Sequence, residues 1–268
     1  MPAQAAALAP ARITLLTDFG TRDGYVAAMK GVIATVAPHA VIDDAAHDIP
    51  PGDVHAAAWA LAAYWERYPV STTHVVVVDP GVGTNRRAIA VLADGRFLVG
   101  PDNGVFSFVL DGARSIRAVA LNPSRFTHDV VSATFHGRDV FAPAAAVIAT
   151  SASIDELGEP AADLVMLELP RPRRDGEAVA GVIVHVDRFG NLISNIPAEW
   201  LTPDACIQVA GRTTRLCRTY GDVATGELCA LIGSSGVLEI SVRDGSAADA
   251  LKIGRGGAVS CTPTFRHP

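Results

Sequence analysis

Several features that would point to a function at first sight are scarce in this sequence. Charged residues make up 19% of the 268-residue chain, against about 25% in an average globular protein. The 22 Lys+Arg and 28 Asp+Glu leave a formal charge of −6. With a sequence pI near 5.7, no basic stripe is available to follow a phosphate backbone, so no nucleic-acid partner is expected. Long hydrophobic runs are also lacking. Purely aliphatic stretches such as Val75-Val76-Val77-Val78 fall far short of the ~20 residues that cross a bilayer, so no membrane partner is expected. The cysteines Cys206, Cys217, Cys229 and Cys261 form no C-x-x-C pair and no metal-ligand spacing, and they read as small buried apolar residues.

The common catalytic signatures are missing as well. There is no G-x-x-x-x-G-K-[ST], no G-x-G-x-x-G opening a helix, no H-E-x-x-H and no G-x-S-x-G, which removes the usual phosphate loops, zinc proteases and serine-hydrolase elbows. Gly81-Val82-Gly83 is only a fragment of a phosphate loop, and Gly233-Ser234-Ser235-Gly236 has the spacing of a turn. Asp43, Asp44, His47 and Asp48, with Asp53 and His55, are metal-type ligands at no recognised spacing, so no metal is expected.

What is present is apolar residue, 49% of the chain. That excludes a disordered polymer and, at this length, allows about 75% of the unfolded surface to be buried. Met1–Ala11 is rich in Ala and Pro but has no charged and apolar halves of a signal peptide. The expectation is a disordered tail over residues 1–12 on a cytoplasmic protein.

The pattern along the chain divides it. Strand-like Ile13–Thr17, Ala40–Ile42, Val75–Val78, Ala88–Leu92 and Phe97–Val99 alternate with helical Gly24–Ala37, a helix capped by Asp53 and running to about Arg67, Phe106–Leu110 and Val140–Thr150. That is the signature of an α/β domain over 13–168, a mostly parallel sheet flanked by helices. A charged, Pro-containing segment, 169–180, reads as a linker. Beyond it the period is two, in Val182–Asp187, Ile207–Val209, Leu228–Ile232, Val237–Val242 and Ala258–Cys261. This predicts a smaller C-terminal antiparallel β domain over 181–268, barrel-like or sandwich-like.

Three strands of the first domain end in acids, Asp18, Asp43/Asp44 and Asp79, two of them in Gly-bearing loops. One strand-end Asp is ordinarily a cap or a turn residue. Three in succession at the carboxyl edge of an open sheet, where ligands bind, point to a site. Two further polar segments stand out. In Thr134-Phe135-His136-Gly137-Arg138-Asp139, Asp139 is placed to cap the following helix and His136 to reach a ligand. Asp187-Arg188-Phe189-Gly190-Asn191 reads either as a hairpin turn held by Asx bonding or as a second polar contribution to a site.

Taken together, TDFG (17–20), DPGVGT (79–84), GPDNG (100–104), TFHGRD (134–139), DRFGN (187–191) and SSGVLEI (234–240) resemble, in order and across nearly the whole chain, the S-adenosylmethionine hydroxide adenosyltransferases. These are relatives of the S-adenosylmethionine-dependent fluorinases and chlorinases. The resemblance implies hydrolysis of S-adenosyl-L-methionine to adenosine and L-methionine, without a cofactor. It also implies a homotrimer whose active sites lie between the large domain of one subunit and the small domain of the next. Asp79, Arg86 and His136 match the family's hydrolytic triad. Asp18 matches the ribose ligand, Asn191 the adenine reader, Asp187 the partner of the methionyl ammonium and Ser234 that of its carboxylate. Gly137 and Gly52 stand where a fluorinase carries a halide-binding serine and a tryptophan, and Ser235 replaces a halogenase arginine. A halogenase and a non-catalytic adenosine or S-adenosylmethionine binder are the alternatives.

Overall fold

The computed structural model describes residues 10–127 and 130–263. The chain divides into two compact units, Met1–Glu168 and Leu169–Pro268.

In the first unit the strands are β1 (Arg12–Thr17), β2 (Val41–Ala46), β3 (Thr73–Val77), β4 (Ala88–Ala93), β5 (Arg96–Pro101), β6 (Ile116–Leu121) and β7 (Gly158–Pro160). They form one seven-stranded sheet in the order β2-β1-β3-β5-β4-β6-β7. β1 runs parallel to β2 and β3, and β3 parallel to β5. β4 is antiparallel to β5 and β6, and β6 to β7. The sheet is therefore mixed, and less parallel than the expectation. The cause is local: Asp94-Gly95, both at positive φ, turn β4 straight back into β5 where a parallel crossover would need a dozen or more residues.

Helices α1 (Tyr25–Val36), α2 (Val54–Tyr64), α3 (Ser107–Gly112) and α4 (Ala142–Ser151) cover both faces. The alternation along β3 sorts its side chains. Val75 and Val77 join Ile13, Leu15, Met29, Ile33, Phe141 and Ile148 on one side. Val76 joins Leu16, Leu61, Trp65, Ile89, Leu98 and Phe106 on the other. Each such side chain contributes about 1.5–3 kcal/mol when fully buried. Ala142, Ala144, Ala145 and Ala146 are all buried, and these small residues let α4 lie close against α1. Asp53 caps α2 by accepting from the Ala56 amide at 2.9 Å. Three readings of this half need correction. Asp139 does not cap a helix; it sits inside a π-helical turn, Gly137–Phe141, that leads into α4. Asp43 and Asp44 do not end a strand, because β2 continues through them to Ala46. Of the tail expected over residues 1–12, residues 1–9 lie outside the described residues and Arg12 already opens β1.

The second unit holds β8 (Arg173–Asp175), β9 (Ala178–Val186), β10 (Leu192–Pro197), β11 (Ala205–Val209), β12 (Arg212–Arg215), β13 (Leu228–Ile232), β14 (Val237–Val242), β15 (Ala258–Pro263) and the short helix α5 (Ala247–Leu251). The strands follow the order β12-β11-β15-β9-β10-β14-β13, with β8 beside β9. Every ladder among them is antiparallel. The two ends of this order meet, because Leu216 bridges Ala230 and Thr214 Oγ1 donates to the Leu228 carbonyl at 3.1 Å. That makes the sheet barrel-like around Val179, Ile183, Leu192, Ile207, Leu238 and Ile240. The segment read as a linker, 169–180, contains β8 and the start of β9. Among the described residues no helix is long and apolar enough to cross a membrane.

Candidate active site

Asp79 follows β3 at the carboxyl edge of the first sheet, and a tight loop brings Arg86 back onto it. Gly83 makes that return possible. Its φ is +77°, and a Cβ there would stand 2.4 Å from the Ala133 carbonyl oxygen, a position only glycine can hold. Arg86 Nε donates to Asp79 Oδ1 at 2.9 Å and Oδ2 at 3.0 Å, and its Nη2 also reaches Oδ2. The Arg86 guanidinium lies 5.4 Å from the centroid of Phe141. The Asp79 side chain is 5% exposed and that of Arg86 11%, so the pair is largely withdrawn from water. Its Coulombic attraction is correspondingly stronger than on the surface.

Arg86 Nη2 also lies 2.7 Å from His136 Nδ1. A guanidinium can only donate, so Nδ1 accepts and the imidazole is the neutral tautomer with its proton on Nε2. Burial first, and then the Arg86 cation, hold His136 below the ordinary histidine range, against the opposing pull of Asp79 and Asp139. Asp79 and His136 thus meet on one guanidinium.

They share a small pocket of about 240 Å³ with Asp18, Phe19, Gly52 and Phe135. Asp18 Oδ2 accepts from the Gly52 amide at 2.8 Å, which leaves the carboxylate acceptor capacity toward the pocket. A Cβ on Gly137 would meet Met29, Phe135 and Phe19 at 3.2–3.3 Å, so this wall is already filled by apolar side chains.

Asp43 and Asp44 do not join this group. Asp43 pairs with Arg12 at 2.5 Å, and Asp44 with Lys30 at 2.6 Å and His47 at 2.9 Å. His47, which the sequence offered only as a metal-type ligand, has a supporting position. Its Nδ1 lies 2.9 Å from Thr17 Oγ1, its carbonyl accepts from Gly20, and Thr17 Oγ1 accepts from the Phe19 amide at 3.2 Å. The loop carrying Asp18 is thus fixed from behind. Among the described residues no group of three His, Cys, Asp or Glu side chains is placed to hold a metal ion.

The GPDNG segment also supports the site. Asn103 Nδ2 donates to the Val78 carbonyl at 3.0 Å and its Oδ1 accepts from Val105, which braces the backbone just before Asp79. The motif was legible in the sequence, but its bracing role was not.

In the second unit Asp187 and Asn191 come together and Ser234 stands apart. Asp187 Oδ1 accepts from the amides of Phe189 and Asn191, and Oδ2 from Asn191 Nδ2, each at 2.9 Å. Ser234 is exposed on the turn between β13 and β14. Because Leu192 pairs with Ile240 and Pro197 with Val237, the Asp187–Asn191 loop and the Ser234 turn lie at opposite ends of the β10–β14 ladder.

A carboxylate at a strand end and a neutral imidazole at a helix start, meeting on one guanidinium in an α/β unit that a barrel-like β unit follows, define a small-molecule enzyme of the acid–base kind. Comparison with known proteins makes this specific. Residues 13–158 match the SAM (S-adenosylmethionine) hydroxide adenosyltransferase N-terminal domain, and residues 181–260 match its C-terminal domain. The chain belongs to the SAM hydroxide adenosyltransferase family. A curated relative from Salinispora tropica, named (R)-S-adenosyl-L-methionine hydrolase, is 40% identical over 257 residues, covering 93% of this chain and 97% of its own. A fluorinase from an Actinoplanes species is 26% identical over 211 residues, covering 69% of this chain and 71% of its own. Among solved structures, an uncharacterized conserved protein from Thermotoga maritima superposes with a TM-score of 0.85 at 34% identity, covering 93% of this chain and 99% of that one.

Proposed function

We propose that the protein hydrolyses S-adenosyl-L-methionine, giving adenosine and L-methionine. The observation that carries this reading is the convergence of Asp79 and His136 on Arg86 beside the pocket that Asp18 lines. Water attacks the ribose 5′ carbon, the new C–O bond forms as the C–S bond breaks, and the bonding pair stays on sulfur. A sulfonium leaves as a neutral thioether, so neither a general acid nor a cofactor is needed, and the work lies in placing the water and removing its proton. Asp79 accepts a hydrogen bond from that water and takes its proton as the C–O bond forms, Arg86 holds Asp79 in place, and neutral His136 completes the water's shell through its Nε2–H. A hydroxide-like nucleophile and a sulfonium neutralise each other in the transition state, which a withdrawn pocket favours. Asp18 takes the ribose hydroxyls and Asn191 the adenine edge, with the methionyl carboxylate at Ser234 and its ammonium at Asp187.

A homotrimer with sites shared between subunits, and residence in the cytoplasm, belong to the same reading. It is supported by polar loops in both units, neither of which holds a full set of ligands by itself. The direct experiment is to incubate the pure protein with S-adenosyl-L-methionine in water enriched in heavy oxygen and separate the products. Adenosine labelled at the 5′ oxygen, with an equal amount of L-methionine, is expected. A 5′-halogenated nucleoside in the presence of halide would transfer the chain to the halogenase reading, and binding without turnover would make it a binder. Sedimentation showing a fully active monomer would remove the shared site.

A further inference from the structure

Asp139 lies three residues beyond His136, inside the π-helical turn Gly137–Phe141, and is only 8% exposed. It does not line the pocket of Asp79 and His136. Its carboxylate looks back along the chain. Oδ2 accepts from the Ser132 amide at 2.8 Å, and Arg138 donates through Nε to Oδ1 at 2.6 Å and through Nη2 to Oδ2 at 2.9 Å. Its own amide donates to the Phe135 carbonyl at 3.2 Å. Burial pushes the carboxyl upward, but the bonds from Arg138 and the Ser132 amide outweigh it and hold the group below the ordinary carboxylate range. A largely buried anion is costly unless donors are arranged around it, and these donors come from both flanks of His136.

Two parts of the site depend on this fastening. His136 sits inside the loop that the carboxylate closes between Ser132 and Asp139, and the bond to Phe135 fixes the backbone directly before it. Ala133, next to Ser132, presents its carbonyl to Gly83, where a Cβ would stand 2.4 Å from the oxygen. Gly83 belongs to the loop that returns Arg86 to Asp79, so the segment held by Asp139 packs on that loop. The turn itself ends at Phe141, whose ring centroid lies 5.4 Å from the Arg86 guanidinium, and the Ala142 amide reaches back five residues to the Gly137 carbonyl. Wide turns of this kind recur at functional sites. The charge of Asp139 also acts on His136 through space: burial first and Arg86 next lower the imidazole, while Asp79 and Asp139 oppose them.

We propose that Asp139 is a positioning residue for the hydrolysis: by fastening Ser132 across the turn it keeps His136 on Arg86 and keeps the Asp79–Arg86 loop in place. This rests on the reading that Asp79, Arg86 and His136 hydrolyse S-adenosyl-L-methionine. Asp139 touches no reacting atom and acts through the backbone on either side of His136. A misplacement of about 1 Å in a reacting group can cost about 10²-fold in rate, so a residue outside the pocket can govern kcat. Asp18, held separately by the Gly52 amide, should keep its hold on the ribose.

The test compares full-length wild type, Asp139→Ala and Asp139→Asn by steady-state kinetics with S-adenosyl-L-methionine, calorimetry with adenosine and NMR titration of the His136 ring protons. Asp139→Ala should lower kcat about tenfold or more, with KM and adenosine affinity changed by no more than about twofold; normal adenosine binding also shows that the variant is folded. Asp139→Asn still offers an oxygen to the Ser132 amide and should regain kcat to within about threefold of wild type. Its His136 midpoint should nevertheless fall, because the imidazolium loses a nearby anion while the Arg86 and Arg138 cations remain and Asp79 is unchanged. An Asp139→Ala protein with wild-type kcat overturns the proposal. So does an Asp139→Asn protein as slow as Asp139→Ala with an unmoved midpoint, which would make Asp139 part of the scaffold only. Should Asp139→Ala fail to fold, the midpoint in Asp139→Asn decides alone. The titration uses no substrate: a wild type that leaves S-adenosyl-L-methionine intact, with the midpoint lowered in Asp139→Asn, would remove the proposed reaction and leave the hold on His136 standing.

Discussion

Arg86 and Arg87, adjacent in sequence, serve opposite partners. Arg86 meets Asp79 and His136. Arg87 meets Asp102 through Nε at 2.7 Å and the carbonyls of Ala162 and Asp163 at 3.0 and 2.7 Å. Asp102 also accepts from the Val165 amide at 2.8 Å, and its side chain is 2% exposed. Arg87→Ala therefore strands a buried carboxylate that does not line the pocket of Asp79 and His136. It should cost about 1–3 kcal/mol of stability and leave turnover within about twofold, as thermal melts and a rate assay on one preparation will show. Arg86→Ala should cost stability too, because it strands the buried Asp79 carboxylate, and should cut turnover as well.

Asp79→Asn keeps the shape and removes the charge that orients water. Its damage belongs in kcat, by about 10²–10⁴-fold on the usual scale of a proton-handling group, with KM changed little because the interaction matures only in the transition state. Arg86→Ala should fall in the same range. The double variant should be hardly worse than either single one, since the two side chains act as one unit. Steady-state kinetics of the four proteins closes this cycle, and additive losses would separate the two roles.

The pH dependence follows from His136. Its pKa lies below the ordinary value of about 6.5, chiefly through burial and then through Arg86. The neutral, accepting form therefore persists as pH falls through the usual histidine range, and the acid limb of kcat/KM should appear below it. Removing Arg86 takes away one of the two effects disfavouring the imidazolium, so the titration midpoint should rise. Following the His136 ring protons by NMR in wild type and Arg86→Ala measures this directly. An unchanged or lower midpoint in the variant would contradict the pairing.

Asp18→Ala removes the acceptor of the Gly52 amide together with the proposed ribose ligand. The expected result is a loss of adenosine affinity of tenfold or more by calorimetry, with about 0.5–1.5 kcal/mol of stability from the lost hydrogen bond. Normal adenosine binding with only the stability loss would make Asp18 a loop residue.

The sequence was most legible where one signal dominated. Val75–Val78 read as a buried strand and its valines are 0–2% exposed; Asp53 read as a cap and accepts from Ala56. It was less legible where two signals competed. Asp43 and Asp44 follow an apolar run and imitate a strand end, but their partners Arg12 and Lys30 lie 31 and 14 residues away and leave no mark on the local pattern. Asp139 imitates a helix cap, but its carboxylate takes the Ser132 amide seven residues back and the neighbouring Arg138 guanidinium instead. Glu239 sits inside a period-two strand on the face opposite the core, where a charged residue ordinarily signals solvent, yet it is only 6% exposed. Its enclosure comes from Tyr220 and the Gly233 turn, and neither is visible from β14 alone.

β2 is the outer strand of the first sheet, so one row of its backbone groups has no strand beside it. An unguarded edge of that kind recruits strands from other molecules. Asp43 and Asp44, with their side chains 29% and 46% exposed and tied to Arg12 and Lys30, set fixed charge along that margin. A second copy approaching edge to edge would bring like carboxylates together and have to dismantle ion pairs before any ladder formed. The acids that resemble ligands in the sequence therefore guard this one edge against strand pairing with another copy.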